Sequence, residues 1–190
     1  MAEPESSPPI TTAPRRWGVA VAVGVLVLGI DQLTKLWAES ALADRAPVPV
    51  LGDFLRFRLL YNSGAAFSIG AGSTWIFTVL AAVAVVAVAW FAAKVVSPGW
   101  AVALGLLLGG AATHLLDRLF RAPGFAQGHV VDFIDYNGWF VGNVADIALT
   151  AGAVLIVVLT MRGTELDGRR RTAAARDGED GSSEKDSPAK

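Results

Sequence analysis

The 190-residue sequence has no cysteine, only two histidines (His114 and His129), and little charge outside its C-terminal end. Without cysteine there are no disulfides, thiolate metal sites or Cys nucleophile. Two histidines do not make a His-rich metal centre, so neither a metal nor another cofactor is expected. A net charge of −1 leaves no basic field for nucleic acid. Charged residues are 17% of the chain, against about 25% in a typical soluble domain, and 14 of the 33 lie between Arg162 and Lys190. The first 161 residues hold too few charges to cover a water-facing globule. An ordinary soluble enzyme is therefore disfavoured, and a polytopic membrane protein is expected.

Four apolar segments carry that expectation. Trp17 to Ile30 is an unbroken apolar run. Extended as a helix to Trp37 it reaches roughly 31 Å, enough to cross a hydrocarbon core of about 30 Å. Trp75 to Ala93 is polar only at Thr78, Trp100 to Leu116 only at Thr113 and His114, and Val144 to Met161 carries Asp146 near its start. Trp17, Trp75, Trp100 and Trp139 sit at or just before segment starts, as interfacial anchors do. The runs are too long for barrel strands and lack period-2 alternation. The valine-rich stretch 83–88 would favour a strand in water, but in lipid the backbone must satisfy itself, which imposes helix.

The expected fold is an all-α membrane protein with four transmembrane helices, about 17–37, 75–95, 100–117 and 144–161, and a small extracytoplasmic β-element at about 48–61. In that element Leu55, Phe57 and Leu59 fall on one face and Arg56 and Arg58 on the other. Residues 15–163 form the membrane domain. The Pro-rich segment 1–14 and the charged segment 164–190 are expected to be disordered tails. No cleavable signal peptide is expected, because the first apolar run ends in Asp31-Gln32-Leu33-Thr34-Lys35 rather than a small-residue cleavage site. Four spans put both termini on one side, with Arg15, Arg16, Lys94, Arg162 and Arg169 to Arg171. The other side holds Arg45, Arg56, Arg58, Arg118 and Arg121, so the bias places both termini in the cytoplasm.

Ionisable groups at membrane depth are costly, and each one is a candidate site. In the orientation above, Asp31, Lys35, His114, Asp117, Arg118, Asp132 and Asp146 all gather at the outer face. Asp31 and Lys35 are spaced i, i+4 and read equally as an ion pair or as part of a site. His114 and Arg118 share a helix face, either capping the third helix or touching substrate. Asp132 lies among Val130, Val131, Phe133 and Ile134; Asp146 follows Asn143 by three residues. Two carboxylates brought together at low dielectric share a proton and titrate as a pair. One then acts as base on a water while the other polarises a carbonyl, which suffices for peptide hydrolysis. The plainer reading makes Asp146 a helix cap and leaves Asp132 in a solvated loop. In Tyr61 to Ser68, Asn62 offers an amide and Gly64 permits close backbone approach, or the segment is a simple turn.

Taken in order, Asp31-Gln32-Leu33-Thr34-Lys35, Asn62-Ser63-Gly64-Ala65-Ala66-Phe67, Gly109-Gly110-Ala111, Asp117-Arg118-Leu119, Val130-Val131-Asp132-Phe133 and Asn143-Val144-Ala145-Asp146 resemble the motifs of bacterial lipoprotein signal peptidase (signal peptidase II). The resemblance spans about residues 17–161. It implies a four-helix membrane aspartic peptidase with Asp132 and Asp146 as the catalytic pair. Asn62, Gly64, His114, Arg118 and Asn143 would bind substrate, with Asp31 and Lys35 helping to organise the cleft. The implied substrate is a prolipoprotein bearing a diacylglyceryl-modified Cys, cut on the amino side of that Cys by a monomer in the bacterial cytoplasmic membrane. Membrane lipid is the only other partner implied, and no nucleic acid is. Two positions depart from the family pattern: Thr113-His114 stands where Gly-Asn is usual, and Gly142 where Phe is common. The competing reading is a non-enzymatic transport or scaffold protein whose acids serve packing or proton movement.

Overall fold

The computed structural model describes residues 14–64 and 74–169. Residues 1–13 and 170–190, which make up most of the expected tails 1–14 and 164–190, and residues 65–73 lie outside the described residues. The elements run α1 (Trp17–Leu42), β1 (Val48–Leu51), β2 (Leu55–Asn62), α2 (Thr74–Ala92), α3 (Pro98–Phe120), β3 (Val130–Tyr136), β4 (Phe140–Gly142) and α4 (Val144–Met161). All four helices are long and apolar enough to cross a membrane.

Helix α3 packs against each of the other three and is the central strut. Its buried face is built of small residues, among them Ala101, Ala103, Gly105, Gly109, Gly110 and Ala111. In lipid there is little hydrophobic drive between helices, so close backbone approach has to supply the packing. A Cβ on Gly109 would lie 2.6 Å from the Gly24 carbonyl oxygen of α1, a contact that no side-chain rotation relieves. Gly109→Ala is therefore expected to destabilise the protein by about 1–3 kcal/mol, read as a lowered unfolding midpoint in detergent.

Helix α1 runs five residues past the expected end at Trp37. Its 26 residues span about 39 Å, more than a hydrocarbon core of about 30 Å. The extra turn places Ala38 and Leu42 against Phe133 and Ile134, so α1 carries the sheet on its C-terminal end. Proline 98 opens α3 at the first helical turn, two residues before the expected start, and α3 runs on to Phe120.

The β-element is larger than its sequence pattern suggested. The strands form one antiparallel sheet in the order β1-β2-β3-β4. Leu55, Phe57 and Leu59 pack on the core at the end of α1, while Arg56 pairs with Asp135 across the sheet at 3.0 Å. Burial pushes the Asp135 carboxyl up, but the Gly138 amide and the Arg56 and Arg58 guanidinium groups outweigh it and hold it below the ordinary range. Strand β3 is buried on both faces, which is why Val130 to Tyr136 shows no alternation in the sequence. Asn137 and Gly138, both at positive φ, make the β3–β4 turn. Trp139 lies at this hairpin, 91% exposed, rather than at the start of a helix.

A register shift lies between Phe57 and Leu60 of β2, opposite Ile134 and Asp132 of β3. The extra residue on β2 turns Asn62 to the same sheet face as Asp132, where unbroken alternation would have turned it away.

The expected tail boundary at residue 164 needs correction. Residues 164–169 fold back onto the turn between α2 and α3, where the Val96 and Ser97 amides donate to the Leu166 carbonyl at 3.0 and 3.1 Å. The Trp100 indole donates to the Thr164 carbonyl at 2.9 Å, and Leu166 packs on the Ala92–Val95 cluster.

Candidate active site

Four elements converge at one end of the helices: the end of β2, the middle of β3, and the facing ends of α3 and α4. Asn62, Phe77, His114, Arg118, Val130, Asp132, Phe140 and Asp146 line one cavity of about 240 Å³. Both aspartates singled out in the sequence thus open onto the same space.

Asn143 ties the two together. It is the N-cap of α4 and makes a reciprocal capping box, its side chain accepting from the Asp146 amide at 3.1 Å while Asp146 Oδ2 accepts from the Asn143 amide at 3.0 Å. That bond fixes which way the Asn143 amide points, and its Nδ2 donates to Asp132 Oδ1 at 2.6 Å. Asp146 is therefore a helix cap and a cavity wall at once, so its two sequence readings are compatible. On the other side, Asn62 Nδ2 donates to Asp132 Oδ2 at 2.9 Å and its Oδ1 accepts from the Gly64 amide at 2.8 Å.

Asp132 is 2% exposed. Burial pushes its carboxyl up to about 6; the Asn62 and Asn143 amides oppose the shift, and the nearby Asp146 charge adds to it. An acid poised near neutrality in a cavity is suited to holding and releasing a proton.

Arg118 lines the cavity and also braces it. Its Nη1 donates to the Asn62 and Gly128 carbonyls, both at 3.1 Å. Gly64 sits at φ +84°, where a Cβ would collide with the Phe77 ring and Arg118, so glycine is required there on both backbone and packing grounds. Gly142, one of the two family departures, has a comparable reason. A Cβ there would come within 2.6 Å of the Phe140 ring and 2.7 Å of Asp146 Oδ2, and Phe140 itself fills the cavity wall. His114, the other departure, brings its Nε2 to 3.1 Å from Asp146 Oδ1.

Asp31 and Lys35, expected to help organise the cleft, are fully buried and lie outside the cavity lining. They form a knot beneath it. Lys35 Nζ is 2.6 Å from Asp31 Oδ2 and 2.7 Å from Asp117 Oδ2. Thr113 donates to Asp31, and Gln32 donates to Thr113 and Asp117. The carboxylates then hold the site's backbone: Asp31 Oδ1 accepts from the Ala145 amide at 2.9 Å, and Asp117 Oδ2 from the Val131 amide at 3.3 Å. Each of those amides is next in sequence to a cavity aspartate. Arg121 completes the knot, bonding Asp117 and Glu39.

Sequence reasoning missed the roles of Gln32, Thr113, Glu39 and Phe77. Phe77 carries no signal in an apolar helix. The Asn137-Gly138 pair did carry one, being a strong hairpin signature, and it explains how only 14 residues separate Asp132 from Asp146. Among the described residues no group of three His, Cys, Asp or Glu side chains is arranged to hold a metal ion.

Residues 23–162 match the family described as Signal peptidase (SPase) II. The chain belongs to the signal peptidase II family. Membership makes it a protease of the bacterial membrane. It is 46% identical over 170 residues to a lipoprotein signal peptidase of Mycobacterium avium, covering 88% of this chain and 93% of that one. A lipoprotein signal peptidase of Rhodococcus jostii is 45% identical over 166 residues, covering 87% and 84%. Two solved bacterial membrane enzymes share the fold seen here. One, determined at 1.9 Å, has a TM-score of 0.69 and 28% identity, covering 81% of this chain and 99% of its own. The other, at 2.3 Å, has a TM-score of 0.67 and 26% identity, covering 95% and 99%.

Proposed function

We propose that the protein is an aspartic endopeptidase that removes the signal peptide from diacylglyceryl-modified prolipoproteins, cutting on the amino side of the lipidated Cys, with Asp132 and Asp146 as its catalytic pair. The observation that carries this reading is that both carboxylates line one cavity and are bridged by Asn143. In the reaction, the ionised carboxylate takes a proton from water as the water oxygen bonds to the scissile carbonyl carbon. The protonated carboxyl gives its proton to the carbonyl oxygen. Collapse of the tetrahedral adduct breaks the C–N bond: the departing nitrogen takes the proton first removed from water, and one adduct hydroxyl returns its proton to the carboxylate that had served the carbonyl oxygen. Acid and amine leave, and the pair is restored.

Residues 15–169 act as the peptidase domain, the packed segment 164–169 included, with both termini cytoplasmic and the cavity near the outer face, working as a monomer. A groove of about 640 Å³ lined by Tyr136, Phe140, Asn143, Asp146, Ile147, Leu149, Thr150, Ala151 and Val154 joins the Asp146 side of the site to the lipid-facing flank of α4. It suits acyl chains entering sideways from the bilayer. Asn62, Arg118 and Asn143 border the scissile peptide, and Asp31 and Lys35 position the backbone under it.

The test is cleavage by purified protein in detergent of a precursor peptide with and without the diacylglyceryl group, in the presence of a chelator. The expected result is a single cut before the lipidated Cys, insensitive to chelator, with the unmodified peptide left intact. Equal cleavage of both peptides contradicts the substrate assignment, and loss of cleavage with chelator contradicts the mechanism.

A further inference from the structure

We propose that His114 is a positioning residue that holds Asp146 as the ionised member of the pair, so that Asp132 carries the proton. The inference rests on the catalytic reading above and extends it to which carboxyl does which task. His114 Nε2 lies 3.1 Å from Asp146 Oδ1, and the other Asp146 oxygen already accepts from the Asn143 amide. With the ring proton on Nε2, each Asp146 oxygen meets a donor, which is the arrangement of a bound carboxylate. The second ring nitrogen, His114 Nδ1, is buried without a hydrogen-bond partner among the described residues, so within them the imidazole's polar engagement is with Asp146.

Burial separates the two acids in the same sense. Asp132 is 2% exposed, whereas the Asp146 side chain is 29% exposed and can be solvated as an anion. Desolvation disfavours charge on Asp132. The ionisable groups facing the imidazole across the cavity are Asp146 from α4, Asp132 from β3 and, one turn on in α3, Arg118. Strand β2 contributes the neutral Asn62, α2 contributes Phe77, and residues 65–73 contain no ionisable side chain. Asp146 therefore becomes the base that takes the water proton, and Asp132 the acid that serves the carbonyl oxygen.

The experiment is the pH profile of kcat and KM for the diacylglyceryl precursor with wild type, His114→Ala and His114→Gln, each checked for its unfolding midpoint. The acidic limb reports ionisation of the base. Losing a hydrogen bond to a charged group should move that limb up by about one pH unit in His114→Ala, with kcat below it falling about tenfold and KM unchanged. His114→Gln, whose amide nitrogen has a similar reach, should return the limb toward the wild-type position. If His114→Ala does not fold, His114→Met carries the same expectation. A raised KM with unmoved limbs would make His114 a substrate contact and overturn the proposal, as would a shifted limb that Gln does not restore. Activity in both Asp132→Asn and Asp146→Asn would instead remove the catalytic reading itself. Inactive Asp variants beside an unmoved His114→Ala limb would remove this inference alone.

Discussion

Asp132→Asn is expected to lower kcat by about 10²- to 10⁴-fold while the protein stays folded. The change is isosteric and keeps an oxygen that can accept from Asn62 or Asn143, but it removes the group that exchanges a proton. KM should move little, because the cavity walls stay in place. The same variant has a signature in stability. Burial raises the Asp132 carboxyl to about 6 from an ordinary value near 3.8. The folded state therefore binds more protons than the unfolded state between those values, and wild-type stability falls as pH rises from about 4 to about 6. Two units correspond to about 3 kcal/mol at most. Asp132→Asn should lose that slope. Denaturant unfolding in detergent at pH 4, 5 and 6 checks it: wild type declines across the series, and the variant lacks the Asp132 share of that decline.

Lys35→Met is expected to cost about 3–5 kcal/mol and to abolish activity by a different route. Lys35 is fully buried and lies within 2.7 Å of both Asp31 and Asp117. Methionine fills similar space but leaves Asp31 with no cation among the described residues, and a buried unpaired carboxylate is costly to keep. The damage reaches the site because Asp31 holds the Ala145 amide and Asp117 the Val131 amide. Adding Asp31→Asn to Lys35→Met should recover part of the lost unfolding midpoint, since it removes the orphaned charge. A Lys35→Met protein as stable as wild type would show that the knot contributes nothing to the fold.

These two variants also show which parts of the molecule could be read in the sequence. The helices were legible because a bilayer permits little else for long apolar runs, and their ends were misplaced where packing decided them. α1 continues to Leu42 because Ala38 and Leu42 have a sheet to support. Asp132 was visible as an acid among Val130, Val131 and Phe133, but its strand was not, since a strand buried on both faces has no period to detect. The placement of Asn62 beside Asp132 depends on the extra residue in β2, which appears only when the register with β3 is known. Asp31 and Lys35 drew attention for a sound reason, the cost of charge at membrane depth. Their position beneath the cavity, rather than in it, follows from Thr113, Asp117 and the Ala145 amide. Those partners lie more than 75 residues away in sequence.

The claim that Asp132 and Asp146 work as one unit is tested most directly by single-turnover rates for Asp132→Asn, Asp146→Asn and the double variant, all confirmed folded. Groups that share one proton lose nearly everything when either is removed, so each single variant should be about as slow as the double. Independent effects that multiply in the double variant, or a single variant cleaving at the wild-type rate, would contradict the account.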